Sequence, residues 1–142
     1  MFIIDKTWNG IKISEDKQIY FSFRIEKASL KLSFRAPFRN DKAPTYKTSE
    51  TFNLWDYEVI EFFLADSKGH YIELEFGPFG HSLFLEFLEI RKPVKKAIIT
   101  SYQAQIEDST WSGSASLEKL PITPISFNIY SINGPPEIRE YL

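Results

Sequence analysis

Carboxylates and aromatic rings crowd one part of this sequence. The stretch Asn53-Leu54-Trp55-Asp56-Tyr57-Glu58-Val59-Ile60-Glu61-Phe62-Phe63-Leu64 mixes a Trp and a Tyr with acidic residues, and Glu73 and Glu75 follow in the next apolar alternation. A Trp ring beside carboxylates suits a sugar, because the C–H face of a pyranose packs on the ring while carboxylates and amides take its hydroxyls. Trp55 and Glu61 can do this if both open onto a cleft, with Tyr57, Glu73, Glu75 and Asn128 as rim contacts. The plain alternative makes Trp55 an aromatic at the edge of the core and Glu61 half of an ion pair with a Lys or Arg on a neighbouring strand. The pairs Glu58/Glu61 and Glu73/Glu75 also raise glycoside hydrolysis, which needs carboxyls roughly 5–5.5 Å apart for retention or roughly 6.5–9.5 Å for inversion. Residues two apart on a strand meet such distances without any catalysis, so no catalytic residue is assigned.

Other chemistries find less footing. The chain has no cysteine, which removes disulfides, thiolate zinc sites and cysteine nucleophiles. His70 and His81 flank an apolar alternation without zinc-type spacing and read as surface histidines in turns. Asp41, Asp56 and Asp66 could supply oxygen to calcium, but no loop has the regular acidic spacing of a calcium loop, so neither a metal nor a cofactor is expected. There is no Gly-x-Ser-x-Gly elbow and no glycine-rich phosphate loop. The basic run Arg91-Lys92-Pro93-Val94-Lys95-Lys96 reads as a solvated turn, and a net charge of −2 argues against a nucleic-acid partner. Apolar runs are too short for a bilayer-spanning helix, and Met1-Phe2-Ile3-Ile4-Asp5-Lys6 lacks the pattern of a secretion signal, so a soluble cytoplasmic protein with no membrane partner is expected.

Strands must position these groups. Thirteen Phe, seven Tyr and three Trp weight the composition toward strand formers. Period-two alternation runs through Ile19, Phe21, Phe23 and Ile25, then Leu30, Leu32, Phe34 and Ala36. It recurs through Ile72, Leu74 and Phe76, through Ile98, Thr100, Tyr102, Ala104 and Ile106, and through Phe127 and Ile129. Turn clusters separate them at Ala28-Ser29, Asp66–Gly69, Gly77–Gly80 and Asp108-Ser109. As one strand, the Trp55 stretch sets Leu54, Ile60, Phe62 and Leu64 against Trp55, Tyr57, Val59, Glu61 and Phe63. Neither side is cleanly polar, so both are at least partly covered or one receives a ligand. Residues 86–96 could hold a short helical turn interrupted by Pro93, and residues 39–51 form a long polar loop of the kind that borders a site. Many short strands with polar faces predict an all-β fold, an antiparallel β-sandwich, over 142 residues as a single domain.

The Trp55 stretch resembles the signature strand of family 9 carbohydrate-binding modules and their DOMON-like β-sandwich relatives. The matching residues are Trp55, the acidic Asp56 and Glu58, Ile60-Glu61, Phe62-Phe63-Leu64, Tyr71, the turn Gly77-Pro78-Phe79-Gly80, and Trp111 through Pro121. The chain is still more similar to an uncharacterised family within that superfamily, through Thr7-Trp8-Asn9-Gly10, Ala36-Pro37-Phe38 with Asn40-Asp41, and Leu54 to Val59. The resemblance implies a jelly-roll-like sandwich and a sugar site in which Trp55 and Glu61 match the first Trp and the Glu. It departs in three ways. No residue matches the second Trp, Glu73 and Glu75 stand where basic and amide residues would be expected, and the chain stops at Glu140-Tyr141-Leu142 where relatives continue through a further strand. DOMON-type haem binding needs a Met/His axial pair, and the only Met is Met1. The expectation is therefore a non-catalytic carbohydrate-binding-like module, taking a sugar or related polar small molecule. The alternatives are a protein-interaction module whose partner or second copy pairs with a sheet edge, and a glycoside-type hydrolase.

Overall fold

The computed structural model describes residues 1–134 and 139–142. The strongest alternations become strands with the expected sides inward: Ile19 and Phe21 are buried in β2 (Ile19–Glu26), as are Leu30, Leu32, Phe34 and Ala36 in β3 (Ser29–Pro37). These strands pair with β1 (Phe2–Ile4) on one side and β9 (Thr110–Leu117) on the other, and β8 (Gln103–Glu107) closes a five-stranded sheet in the order β1-β2-β3-β9-β8. The second sheet has six strands in the order β11-β10-β4-β5-β6-β7. Its members are β4 (Val59–Ala65), β5 (Tyr71–Phe76), β6 (Ser82–Glu89), β7 (Lys92–Ala97), β10 (Ser126–Asn133) and β11 (Glu140–Tyr141). All pairings are antiparallel, so the fold is an all-β sandwich of two antiparallel sheets.

Aromatic rings fill the space between the sheets. Phe62 of β4 lies 5.0 Å from Phe21 and 4.9 Å from Phe23 of β2, and Phe76 of β5 lies 5.7 Å from Phe34 of β3. Where β3 meets β9, Phe34 faces Gly113, and a Cβ there would sit 2.3 Å from the Phe34 ring. Trp111, 1% exposed, meets the same ring edge-on at 5.0 Å. The glycine thus clears the space that a large ring fills across the strand pair.

Four local expectations are corrected. Residues 54–56 form a 3-10 turn, and the strand starts only at Val59, so Trp55 is not in strand register with Glu61. Residues 86–96 hold no helical turn but the end of β6 and most of β7, where Pro93 is tolerated because β7 is an edge strand. The basic run accordingly lies mainly on a strand. In the fourth alternation only Gln103–Glu107 is a strand; before it Ile99 and Tyr102 are both buried, although the alternation set them on opposite sides. The β2–β3 turn is centred on Lys27 and Ala28, both at positive φ, one residue earlier than its composition suggested.

Residues 39–51 lie outside strands and helices, as expected, and carry the chain from the first sheet toward the second. At the far end of the loop Leu54, 1% exposed, packs with Val59, Leu83, Leu85, Phe87 and Ile132 on the side of the second sheet that faces away from the aromatic core. Tyr46, Trp55, Tyr57 and Tyr71 lean on this smaller cluster. The outer face of the six-stranded sheet is therefore covered at one end. Among the described residues, no helix is long and apolar enough to cross a membrane.

Candidate functional site

Register decides which side chains meet on that outer face. Across β10, β4, β5 and β6, one row reads Tyr130, Glu61, Glu75 and Leu83. The adjacent row reads Asn128, Phe63, Glu73 and Leu85, continuing to Lys96 on β7. Glu61 thus stands directly opposite Glu75, and Glu73 is two residues along the same strand and on the same side. Like charges set directly opposite on a sheet repel. Here the three carboxylates converge, with one oxygen from each within 4.8 Å of the others.

Burial sharpens the conflict. Glu75 is 0% exposed and Glu61 is 7% exposed, while Glu73 is half-buried. Neither oxygen of Glu75 has a hydrogen-bond partner, because the carboxylates around it can only accept. No ion pair among the described residues involves any of the three. The expected alternative, Glu61 paired with a Lys or Arg on the next strand, is not what the register provides. Loss of hydration raises the Glu61 carboxyl to about 8, with Glu73 adding to the rise and Arg139 opposing it. Burial likewise raises both Glu73 and Glu75, and at Glu75 the neighbouring charges of Glu73 and Glu61 add to the rise.

The Trp55 turn reaches this cluster through two cations that sequence reasoning missed. The Nζ of Lys96 stands 5.3 Å from the centre of the Trp55 ring and 3.5 Å from Asn53 Oδ1, and its charge also favours ionised Glu75. Arg139, whose side chain is 14% exposed, lies 3.5 Å from Asp56 Oδ1 and favours ionised Glu61. Lys96 sits in a run that looked like solvated turn, and Arg139 is far away in the chain, so neither carried a local signal. Tyr57 is half-buried and meets Tyr46 edge-on at 6.0 Å; Tyr46, also missed, has its phenol pushed up to about 12 by burial.

The remaining candidates lie apart from this group. Asn128 shares the outer face but is separated from Glu73 by Phe63, and its Nδ2 donates to the Tyr130 hydroxyl at 2.8 Å. Glu58 is 4% exposed and accepts from the Arg39 backbone N–H at 3.1 Å, which directs it away from a pairing with Glu61; burial nonetheless raises its carboxyl. The aspartates considered for calcium each have other partners: Asp41 accepts from Gly134 N–H, Asp56 meets Arg139, and Asp66 accepts from the N–H groups of Lys68 and His70. His81, expected on the surface, is instead 7% exposed, with Nε2 2.8 Å from the Tyr46 carbonyl.

Known proteins resemble this chain along nearly its whole length. It is 35% identical over 145 residues to the UPF0462 protein C4orf33 homolog of Danio rerio, spanning 99% of this chain and 73% of that protein. The UPF0462 protein C4orf33 of Homo sapiens is 31% identical over 145 residues, spanning 99% of this chain and 72% of its own length. The homolog from Rattus norvegicus is 32% identical, with 99% and 72% covered. No protein-family model matches the chain, and no solved structure matches it.

Proposed function

This chain belongs to the UPF0462 family, and we propose that it is a non-catalytic binding module, related to family 9 carbohydrate-binding modules, that takes a sugar or similar polyol beside Trp55 and Glu61. The observation that carries this reading is the junction of an aromatic ring and a carboxylate cluster on one sheet face: Lys96 stands over the Trp55 ring and electrostatically faces Glu75. A pyranose arriving there replaces the ammonium on the ring with its own C–H face and leaves Lys96 free to donate to a hydroxyl. Glu73, the half-buried member of the cluster, accepts from a second hydroxyl. Buried Glu61 and Glu75 set the polarity of the floor, and Tyr57 and Tyr46 bound it on the loop side.

The test is a Trp-fluorescence titration with mono- and oligosaccharides in a Trp8→Phe background. Trp8 is 75% exposed and would add signal unrelated to the site, whereas Trp111 is buried and serves as a constant reference. Saturable quenching or enhancement, lost in Trp55→Ala and weakened at least tenfold in Glu73→Gln, is the expected result. A folded protein whose emission no sugar changes would end the sugar reading.

A further inference from the structure

We propose that Glu61, Glu73 and Glu75 together hold one divalent cation of the oxygen-preferring class, such as calcium, magnesium or manganese. Two separate observations carry this. The first is convergence: one oxygen of each carboxylate lies within 4.8 Å of the other two. Around an ion with oxygens at about 2.3–2.6 Å, adjacent donors lie about 3.3–3.7 Å apart and opposite donors about 4.6–5.2 Å apart, so these three fit inside one coordination sphere. The second is the state of Glu75, which is 0% exposed and has both oxygens without a hydrogen-bond donor. A buried carboxylate with neither donor nor counter-ion is costly, and a cation at the point where its neighbours also aim satisfies it directly.

Charge and access agree. Three carboxylates around a divalent ion leave one excess negative charge, and both Lys96 and Arg139 lie near enough to favour the ionised forms of Glu75 and Glu61. Both cations keep other contacts, at Trp55 and Asp56, and neither forms an ion pair with the three carboxylates. Half-buried Glu73 is the member of the cluster that reaches solvent. An all-carboxylate donor set without imidazole or thiolate selects hard cations over zinc or copper. The signal is visible in retrospect: two acidic residues alternating on one strand, facing a third across the register, impose repulsion that a sheet otherwise avoids.

This inference goes beyond the sugar reading and does not need it. The experiment uses the full chain, stripped with a chelator and dialysed, with no sugar present. Calcium, magnesium and manganese chlorides are titrated separately by calorimetry and by thermal melting. Expected is saturable binding of one ion per chain for at least one of them, with a rise in melting temperature. Glu75→Gln and Glu73→Gln should each weaken that binding at least tenfold, while Glu107→Gln, on the exposed edge strand β8, leaves it unchanged. Absence of binding by all three ions at millimolar concentration overturns the proposal. So does binding that survives both cluster substitutions, since the ion would then sit elsewhere. Sugar titrations repeated in chelator separate the readings: sugar binding that persists there leaves the module reading standing even if the cation site fails.

Discussion

At the scale of single residues, Glu75 carries the sharpest consequence. Its carboxyl is fully buried beside two others, and its ionised form lacks any donor. Glu75→Gln keeps the shape and supplies two N–H donors that Glu61 and Glu73 can accept. In chelator, the variant should therefore be more stable than the parent at pH 8, by at least about 1 kcal/mol or a few degrees in melting temperature. The gap should close at about pH 3, where the parent carboxyl is protonated in both folded and unfolded chains. Urea titrations at the two pH values check this, and a variant less stable at pH 8 would refute it. Much of the site was legible beforehand: the alternation Tyr71, Glu73, Glu75 against Ile72, Leu74, Phe76 placed both glutamates on the face away from the core. What local pattern could not supply was register. The tight turn at Asp66–Gly69, held by the Asp66 carboxylate on the N–H groups of Lys68 and His70, sets Glu61 opposite Glu75. Lys96 and Arg139 arrive from distant segments and depend on that same assembly.

Strands show where pattern reading works and where packing overrides it. Alternations with a clean apolar side, as in β2, β3 and β5, became strands facing as expected, because one buried face fixes the register. The segment from 86 to 96 misled because β7 is an edge strand whose Lys92, Pro93, Lys95 and Lys96 guard an open edge against pairing and hide its alternation. The Trp55 turn misled because Leu54 is captured by the outer apolar cluster, which bends the chain before β4 begins. The β3–β9 pair gives a test at this scale. Gly113 faces Phe34, whose ring is hemmed in by Phe21, Phe76 and Trp111, and an added Cβ would lie 2.3 Å from its tip. The ring cannot swing aside without disturbing all three neighbours. Gly113→Ala should therefore destabilise the fold by about 1–3 kcal/mol, the usual range for overpacking. Pairing it with Phe34→Leu should recover part of the loss, because the shorter side chain vacates the space that the methyl needs. Chemical denaturation of the two single variants and the double variant measures that coupling, and strictly additive losses would show that the ring was not the obstacle.

For the whole molecule, the buried carboxylates set the direction in which stability changes with pH. Burial raises Glu58, Glu61, Glu73 and Glu75 above the ordinary value of 4.5, Glu61 to about 8. In the unfolded chain the same groups titrate near about 4.3. Between these limits the folded chain holds protons that the unfolded chain has released. Stability then falls as pH rises, by about 1.4 kcal/mol per pH unit for each extra proton held. This is opposite to the effect of surface carboxylates stabilised by ion pairs, which lose stability on acidification. The groups facing the cluster temper the slope without reversing it: Arg139 opposes the rise at Glu61, Lys96 opposes it at Glu75, and the backbone N–H groups of Arg39 and Asp41 oppose it at Glu58. In chelator, the midpoint of urea unfolding should be highest near pH 5 and decline toward pH 8, at constant denaturant slope. A midpoint that rises over that interval would show that the carboxylates are paired in solution by groups the register does not provide. Cation binding gives the same cluster a second way to discharge. An ion favours the carboxylates in their ionised form, so saturating it at pH 8 should restore much of the lost midpoint while changing little at pH 5, where protons already occupy the site. If the midpoint at pH 8 is instead indifferent to calcium, magnesium and manganese, protons alone balance the cluster, and its three glutamates serve the outer face only as neutral polar groups.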